Sequence, residues 1–216
     1  MFGLSPLSPL VPDQQAGCGG FAGHAIIIGG GASGVLLAYQ LLRDPASDFR
    51  VTLIEKRPDL GRGLAYHTGH PDHLLNVRAA NMSALPDQPD HFWRWVSARG
   101  SDRKLCSDPY CFVPRRIYGD YIASLVEPLI SGGNGAKGLT VIHGECVQVS
   151  ESASQVTVTL ADGTRFVGDV AVLATGHDTA KPSAACYADP WALPSAADIK
   201  REATVLIFGT GLTMVD

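Results

Sequence analysis

The sequence predicts an α/β fold of three layers: a parallel sheet, helices on one face and an antiparallel β-meander on the other. Two observations predict it. Near the N-terminus, HAIIIGGGASGVLLAYQLLR runs from a short β-branched stretch through glycines into apolar residues at helical spacing, Val35, Leu36, Ala38, Tyr39 and Leu42. Much later, QVTVTLADGTRFVG alternates apolar and polar residues around an Asp162-Gly163 turn and leads into the apolar run DVAVLATG. Parallel strands are expected near 25–29, 51–55, 140–143 and 169–174.

Composition sets the outer bounds. The chain has 216 residues, 45% hydrophobic and 18% charged, which suits a folded core rather than disorder or a membrane span. A formal net charge of -4, with Lys and Arg scattered, offers no basic face to neutralise a nucleic-acid backbone. No membrane or nucleic-acid partner is expected. The opening MFGLSPLSPLVPDQQAGCGG lacks a positive start and is interrupted by prolines, so it does not read as a signal peptide; residues 1–22 are expected to be a flexible tail. Cys18, Cys106, Cys111, Cys146 and Cys186 are odd in number and contain no Cys-x-x-Cys pair. Reduced thiols in a cytoplasmic protein are the simplest expectation.

Each element has its local cause. Gly29, Gly31 and Gly34 stand at G-x-G-x-x-G between the first strand and helix. In that pattern the first glycine makes the tight turn, the second lets backbone approach a pyrophosphate, and the third lets helix and strand pack closely. Ala32 and Ser33 fall where unpaired N–H groups of a helix start favour an anion, and the Ser33 hydroxyl could add to them. A second strand, RVTLI, ends in Glu55 about 20 residues past the third glycine, where a carboxylate accepts hydrogen bonds from an adenosine ribose. Lys56 follows it. Strand, glycines, helix, strand and acid in this order make a Rossmann-like unit that binds a dinucleotide. The stretches LTVIHGECVQVS and QVTVTLADGTRFVG form the meander, and Ala174, Thr175 and Gly176 close the last strand on a small-residue turn that lets backbone come close to a ligand.

These motifs resemble a family. GGGASG, the acid in LIEK, the meander and DVAVLATGH are similar to the two-dinucleotide flavoproteins, and RGLAYHTGHPDHLLNVRAANMSALPDQPDHFWRW, FVPRRIYGDYI, DPWAL and GTGLTMVD narrow the likeness. The group they resemble is the bacterial FAD/NAD(P)-binding proteins that include the FAD-dependent urate hydroxylase and the aspartate N-monooxygenase. The likeness spans about residues 24–216. It implies FAD on the first unit, an Ala-Thr-Gly turn that touches FAD again, and NAD(P)H on a second unit. Gly209 and Gly211 take the first two glycine positions of that second unit, with Met214 where the third would stand. The expected organisation is therefore a tail (1–22), an FAD-binding domain (23–200) and the truncated start of an NAD(P)-binding unit (201–216), as in the N-terminal part of a longer protein. Such a fragment is expected to be inactive alone.

In the resembled enzymes NAD(P)H reduces FAD, the reduced flavin forms a hydroperoxide with O2, and a small polar substrate is hydroxylated. The resemblance also implies that the segment from Arg62 to Asn76 lines the flavin, with Arg62, Asn76 and Val77 as candidates, and that the backbone at Cys146-Val147 reads the adenine edge. Plainer readings stand beside several residues. His67, His70 and His73 are three apart, but Gly69 and Pro71 break any helix that would align them, so no metal site is expected. Arg115 and Arg116 open a helix whose Ile117, Tyr121, Leu125 and Leu129 repeat at helical spacing; a surface helix with a solvated basic start is the bland reading, and Arg115 reaching a carboxylate the sharp one. Trp93 and Trp95 cannot both be core. Two functional classes remain open: a flavin monooxygenase, and a non-catalytic FAD/NAD(P)-binding protein or sensor.

Overall fold

The computed structural model describes residues 23–99, 106–130, 138–176, 200 and 202–204. The expected tail, Gly209, Gly211 and the proposed second unit lie outside the described residues. The described residues fall into two compact units, the first those within 23–67 and 116–176, the second those within 68–115 and 200–204.

The first unit is built on four parallel strands. β1 (Gly23–Ile28), β2 (Phe49–Glu55), β3 (Leu139–His143) and β7 (Val170–Leu173) lie in the order β3-β2-β1-β7. Ala25, Ile26, Ile27 and Ile28 are all buried, as are Val51 to Ile54, because both faces of the central strands are covered. Alternation sorts them. Ile26, Ile28 and Ile54 pack with Val158 and Leu160 of a second sheet, while Ile27 faces α1 (Ala32–Leu42), whose Gly34, Val35 and Ala38 are buried. Each such side chain taken from water contributes roughly 1.5–3 kcal/mol.

The second sheet is the antiparallel meander β4 (Cys146–Glu151), β5 (Val156–Leu160) and β6 (Arg165–Gly168). The stretch LTVIHGECVQVS divides at Gly144 and Glu145: its first half is the parallel strand expected near 140–143 and pairs with β2, and its second half opens the meander. Gly163, at φ 86°, makes the expected turn between β5 and β6. Gly168 brings β6 against β1, since a Cβ there would stand 2.9 Å from the Ile26 side chain and 3.0 Å from the His24 carbonyl oxygen.

At the opposite strand ends, His24 and Asp169 exchange backbone contacts: the His24 N–H donates to Asp169 Oδ2 at 2.6 Å, and the Asp169 N–H to the His24 carbonyl at 2.9 Å. The Arg50 guanidinium donates to His24 Nδ1 at 3.0 Å, which leaves Nε2 as the donor to Thr52 Oγ1 at 2.8 Å. This network fixes the starts of β1, β2 and β7 away from the glycine turn.

α3 (Arg115–Val126) corrects the surface-helix expectation. Ile117, Tyr118, Gly119, Tyr121, Ile122, Leu125 and Val126 are buried, covering far more than one face, although Arg116 is exposed as expected. The apolar positions between the predicted repeat, Tyr118, Ile122 and Val126, widen the stripe.

In the second unit, Leu74 bridges Pro114, a 3-10 turn spans Ala79–Asn81, and α2 covers His91–Ala98. Phe92 and Val96, one helical turn apart, form the buried face of α2. Trp93 and Trp95 are both half-buried; Trp95 stacks with Phe92, and the Arg99 guanidinium lies 4.5 Å from its ring centroid. Cys106 and Cys111 are joined in a disulfide with Cα atoms 5.5 Å apart, which corrects the expectation of reduced thiols. The Asp108 turn between them brings the two cysteines together: Asp108 accepts the Tyr110 N–H at its side chain and the Cys111 N–H at its carbonyl. His70 and His73 have ring centroids 4.9 Å apart, and buried His73 meets Thr68 Oγ1 at 2.6 Å through Nδ1. Among the described residues no group of three or more His, Cys, Asp or Glu side chains is placed to hold a metal, and no helix is long and apolar enough to cross a membrane.

Candidate dinucleotide site

The site is the turn between β1 and α1 at the C-terminal end of the parallel sheet, where α/β folds bind ligands. Gly29 has φ 108°, and a Cβ on it would stand 2.3 Å from the Ala174 carbonyl oxygen. Only glycine fits both demands. The Ala174 N–H donates to the Ile28 carbonyl at 2.8 Å, so the Ala174–Gly176 turn is stitched directly to the glycine turn. Gly34 is the closest approach of all: a Cβ would lie 1.9 Å from the Gly29 carbonyl oxygen and 3.3 Å from the Ile27 side chain.

Gly31 differs from both. It is the N-cap residue of α1 in an extended conformation, φ -67° and ψ -174°, and its nearest neighbour is the Gly63 Cα, 3.2 Å from the position of a Cβ. No side chain caps the helix, and its first turn carries no acid. The first intrahelical bond runs from the Val35 N–H to the Gly31 carbonyl, so the N–H groups of Ala32, Ser33 and Gly34 have no partner within the helix. Exposed Ser33 stands in that first turn. Uncapped N–H donors at the positive end of a helix dipole are available to an anion at this turn.

Glu55 ends β2 beside this turn. Its Oε2 accepts the Gly30 N–H at 2.6 Å and its Oε1 the Arg57 N–H at 2.9 Å. A carboxylate has about four lone-pair sites, so two remain open to further donors. Lys56 pairs with Glu145 at 3.4 Å, both side chains well exposed, an ion pair worth little by itself. Val147 is 61% exposed at a β-bulge, where the β4–β5 register steps from Cys146↔Leu160 to Gln148↔Thr159.

The fold thus places Gly29, Gly31, Ala32, Ser33, Gly34, Glu55 and the Ala174–Gly176 turn around one loop, with Lys56 and Val147 in the same unit. Arg62 belongs to that unit as well, while exposed Asn76 and Val77 belong to the other. Sequence reading singled out Arg62 but missed Gly30, Gly61, Gly63 and Arg57, which hold the loop around Arg62 in place: the Gly61 N–H donates to the Gly30 carbonyl at 2.8 Å, and the Arg57 guanidinium donates to the Gly63 carbonyl at 3.1 Å. The G-R-G spelling of 61–63 was the available signal, since Gly61 (φ 78°) and Gly63 (φ 53°) both take left-handed conformations.

A family model described as FAD-NAD(P)-binding matches residues 26–178, which contain the whole of this constellation. The chain belongs to the FAD-NAD(P)-binding family. No curated protein matches significantly. Among solved structures, an open form of cyclohexanone monooxygenase is similar with a TM-score of 0.50 and 15% identity, over 71% of this chain and 27% of that one. S-allyl-L-cysteine S-oxygenase from Allium sativum follows at 0.49 and 20%, over 72% and 36%, and a flavin-containing monooxygenase from Stenotrophomonas maltophilia at 0.46 and 20%, over 71% and 38%. The chain therefore spans well under half the length of these proteins. At its TM-score and identity, the likeness to cyclohexanone monooxygenase speaks for the fold alone, a Rossmann-like α/β domain carrying a meander.

Proposed function

We propose that the chain supplies the FAD-binding part of an NAD(P)H-dependent flavin monooxygenase that hydroxylates a small polar substrate, in the manner of the urate hydroxylase and aspartate N-monooxygenase group. The observation that carries the FAD assignment is the uncapped start of α1, with Gly31 as its N-cap and Glu55 beside it. The pyrophosphate would rest on the N–H groups of Ala32, Ser33 and Gly34, the adenosine ribose on Glu55, and the adenine edge on the backbone at the Val147 bulge. Arg62, Asn76, Val77 and the Ala174–Gly176 turn are proposed for the flavin end, and Gly209 and Gly211 for NAD(P)H. When bound, FAD would supply hydride acceptance and oxygen transfer. The protein's own residues anchor the cofactor and orient it.

The test is the visible absorbance of the purified, FAD-loaded full-length protein. Bleaching by NAD(P)H without oxygen, followed by substrate-stimulated NAD(P)H consumption in air, is the expected result for the enzyme. A bound flavin that NAD(P)H never bleaches would favour a binding protein or sensor and refute the monooxygenase reading.

A further inference from the structure

The loop after β2 is clamped between the glycine turn and α3. On one side, Gly61 donates to the Gly30 carbonyl and Gly63 lies against Gly31, where a Cβ on Gly63 would be 3.4 Å from the Gly31 Cα. On the other, a Cβ on Gly61 would meet the Ala123 nitrogen at 2.7 Å and the Gly119 oxygen at 2.8 Å, and a Cβ on Gly119 would meet the Arg62 side chain at 2.9 Å. Glycine at 61 and 119 lets the loop lie directly on the helix. Tyr66 and Tyr118 extend the contact, with ring centroids 4.8 Å apart. Burial, with the neighbouring Tyr66 and Tyr121, raises the Tyr118 pKa well above the ordinary tyrosine range, so Tyr118 stays neutral.

Arg62 sits between the two glycines that touch the turn. One Nη2 N–H donates to Asp120 Oδ1 at 2.6 Å, and both side chains are only 26% exposed. A guanidinium carries five N–H donors, and a single carboxylate oxygen engages one of them. An ion pair made only for stability gains most from two parallel bonds. This one is single and half-buried, on a residue whose flanking glycines, Gly61 and Gly63, pack against Gly30 and Gly31 of the turn.

We propose that Asp120 is a positioning residue, which holds Arg62 in place so that its remaining donors serve an anionic group of the ligand seated at the Gly29–Gly34 turn. The inference rests on the dinucleotide reading of that turn. It adds α3 to the binding machinery, by way of a residue that no glycine fingerprint contains.

The experiment is a double-mutant cycle on cofactor affinity, read by flavin-fluorescence titration with FAD and by calorimetry with ADP. Arg62→Ala is expected to weaken FAD about tenfold and Asp120→Ala about fivefold, the range for a lost charge-assisted hydrogen bond. In the Arg62→Ala background, Asp120→Ala should change affinity less than about twofold, because its effect runs through Arg62. Asp120→Glu should recover part of the loss. Weakening of ADP and FAD alike supports the positioning role, because the pyrophosphate is the anionic group the two ligands share; weakening of FAD alone would overturn it. Equal losses from Asp120→Ala in both backgrounds, or wild-type affinity in Arg62→Ala, would overturn the inference while leaving the dinucleotide reading intact. Failure of the wild-type protein to bind either ligand would overturn both.

Discussion

Gly31 and Gly34 stand three residues apart in the same motif, yet substitution should damage the protein in opposite ways. A Cβ at Gly34 would lie 1.9 Å from the Gly29 carbonyl oxygen, and ordinary contact needs about 3.4 Å, so backbone must shift by roughly 1.5 Å. Overpacking of that kind costs about 1–3 kcal/mol, offset by at most about 1 kcal/mol from replacing a helical glycine with alanine. Gly34→Ala should therefore lower stability by about 1–2 kcal/mol and distort the turn. At Gly31 the nearest atom to a Cβ is 3.2 Å away, and the backbone is extended with negative φ, so a shift of a few tenths of an ångström suffices. Gly31→Val should cost about 0.5–1 kcal/mol, less than Gly34→Ala, for a poorer N-cap and a small shift of Gly63. Its side chain would instead occupy the approach to the Ala32, Ser33 and Gly34 N–H groups, and FAD affinity should fall at least about tenfold, or 1.4 kcal/mol. Urea denaturation without ligand and flavin-fluorescence titration separate the two effects. The reasoning fails if Gly31→Val binds FAD as wild type does, or if Gly34→Ala is as stable as wild type.

Three other perturbations test neighbouring steps. Glu55→Gln keeps the shape but replaces one acceptor oxygen with an amide donor, facing either the Gly30 or the Arg57 N–H; stability should fall by about 1–3 kcal/mol, and an unchanged urea midpoint would contradict the pairing. The Asp162 carboxyl sits below its usual value of 3.8 because the Thr164 N–H and hydroxyl stabilise its charge. Its contribution is present above pH 3.8 and lost as pH falls through the lowered folded value, so the stability gap between wild type and Asp162→Ala should shrink on acidification between about pH 5 and pH 2. A gap independent of pH would remove that charge from the account. Cys106→Ser opens a short covalent loop and should cost about 2 kcal/mol under non-reducing conditions, with no difference from wild type once both are reduced; free thiols at both positions in the oxidised protein, detected by alkylation and mass spectrometry, would show that the pair is not formed.

Much of the first unit was legible because its signals are local. The run Ala25–Ile28 is apolar on both faces and is followed at once by glycine, which fixes strand, turn and helix within about 20 residues, and Glu55 falls at the distance that one crossover dictates. The meander announced itself through period-two alternation and Asp162-Gly163. Contacts distant in sequence were not legible. Asp120 meets Arg62 across 58 residues, and nothing in either residue's neighbourhood encodes the pairing. The burial of α3 was underestimated because periodicity marks one face, whereas the helix also accommodates the Gly61–Tyr66 loop at Gly119. The parallel strand expected near 140–143 is β3, but alternation that continues across Gly144 masks the point where the meander begins. Cys106 and Cys111 lacked a recognised spacing, and it is the Asp108 turn that draws them together.

The central claim is that a dinucleotide lies across the Gly29–Gly34 turn with its ribose on Glu55. A crystal structure of the FAD-loaded protein tests it most directly. The account predicts density for a pyrophosphate oxygen within hydrogen-bond distance of the Ala32 or Ser33 N–H, and for ribose hydroxyls on Glu55 while its Gly30 contact persists. FAD bound elsewhere, with the start of α1 solvated and Glu55 touching only protein, would contradict it.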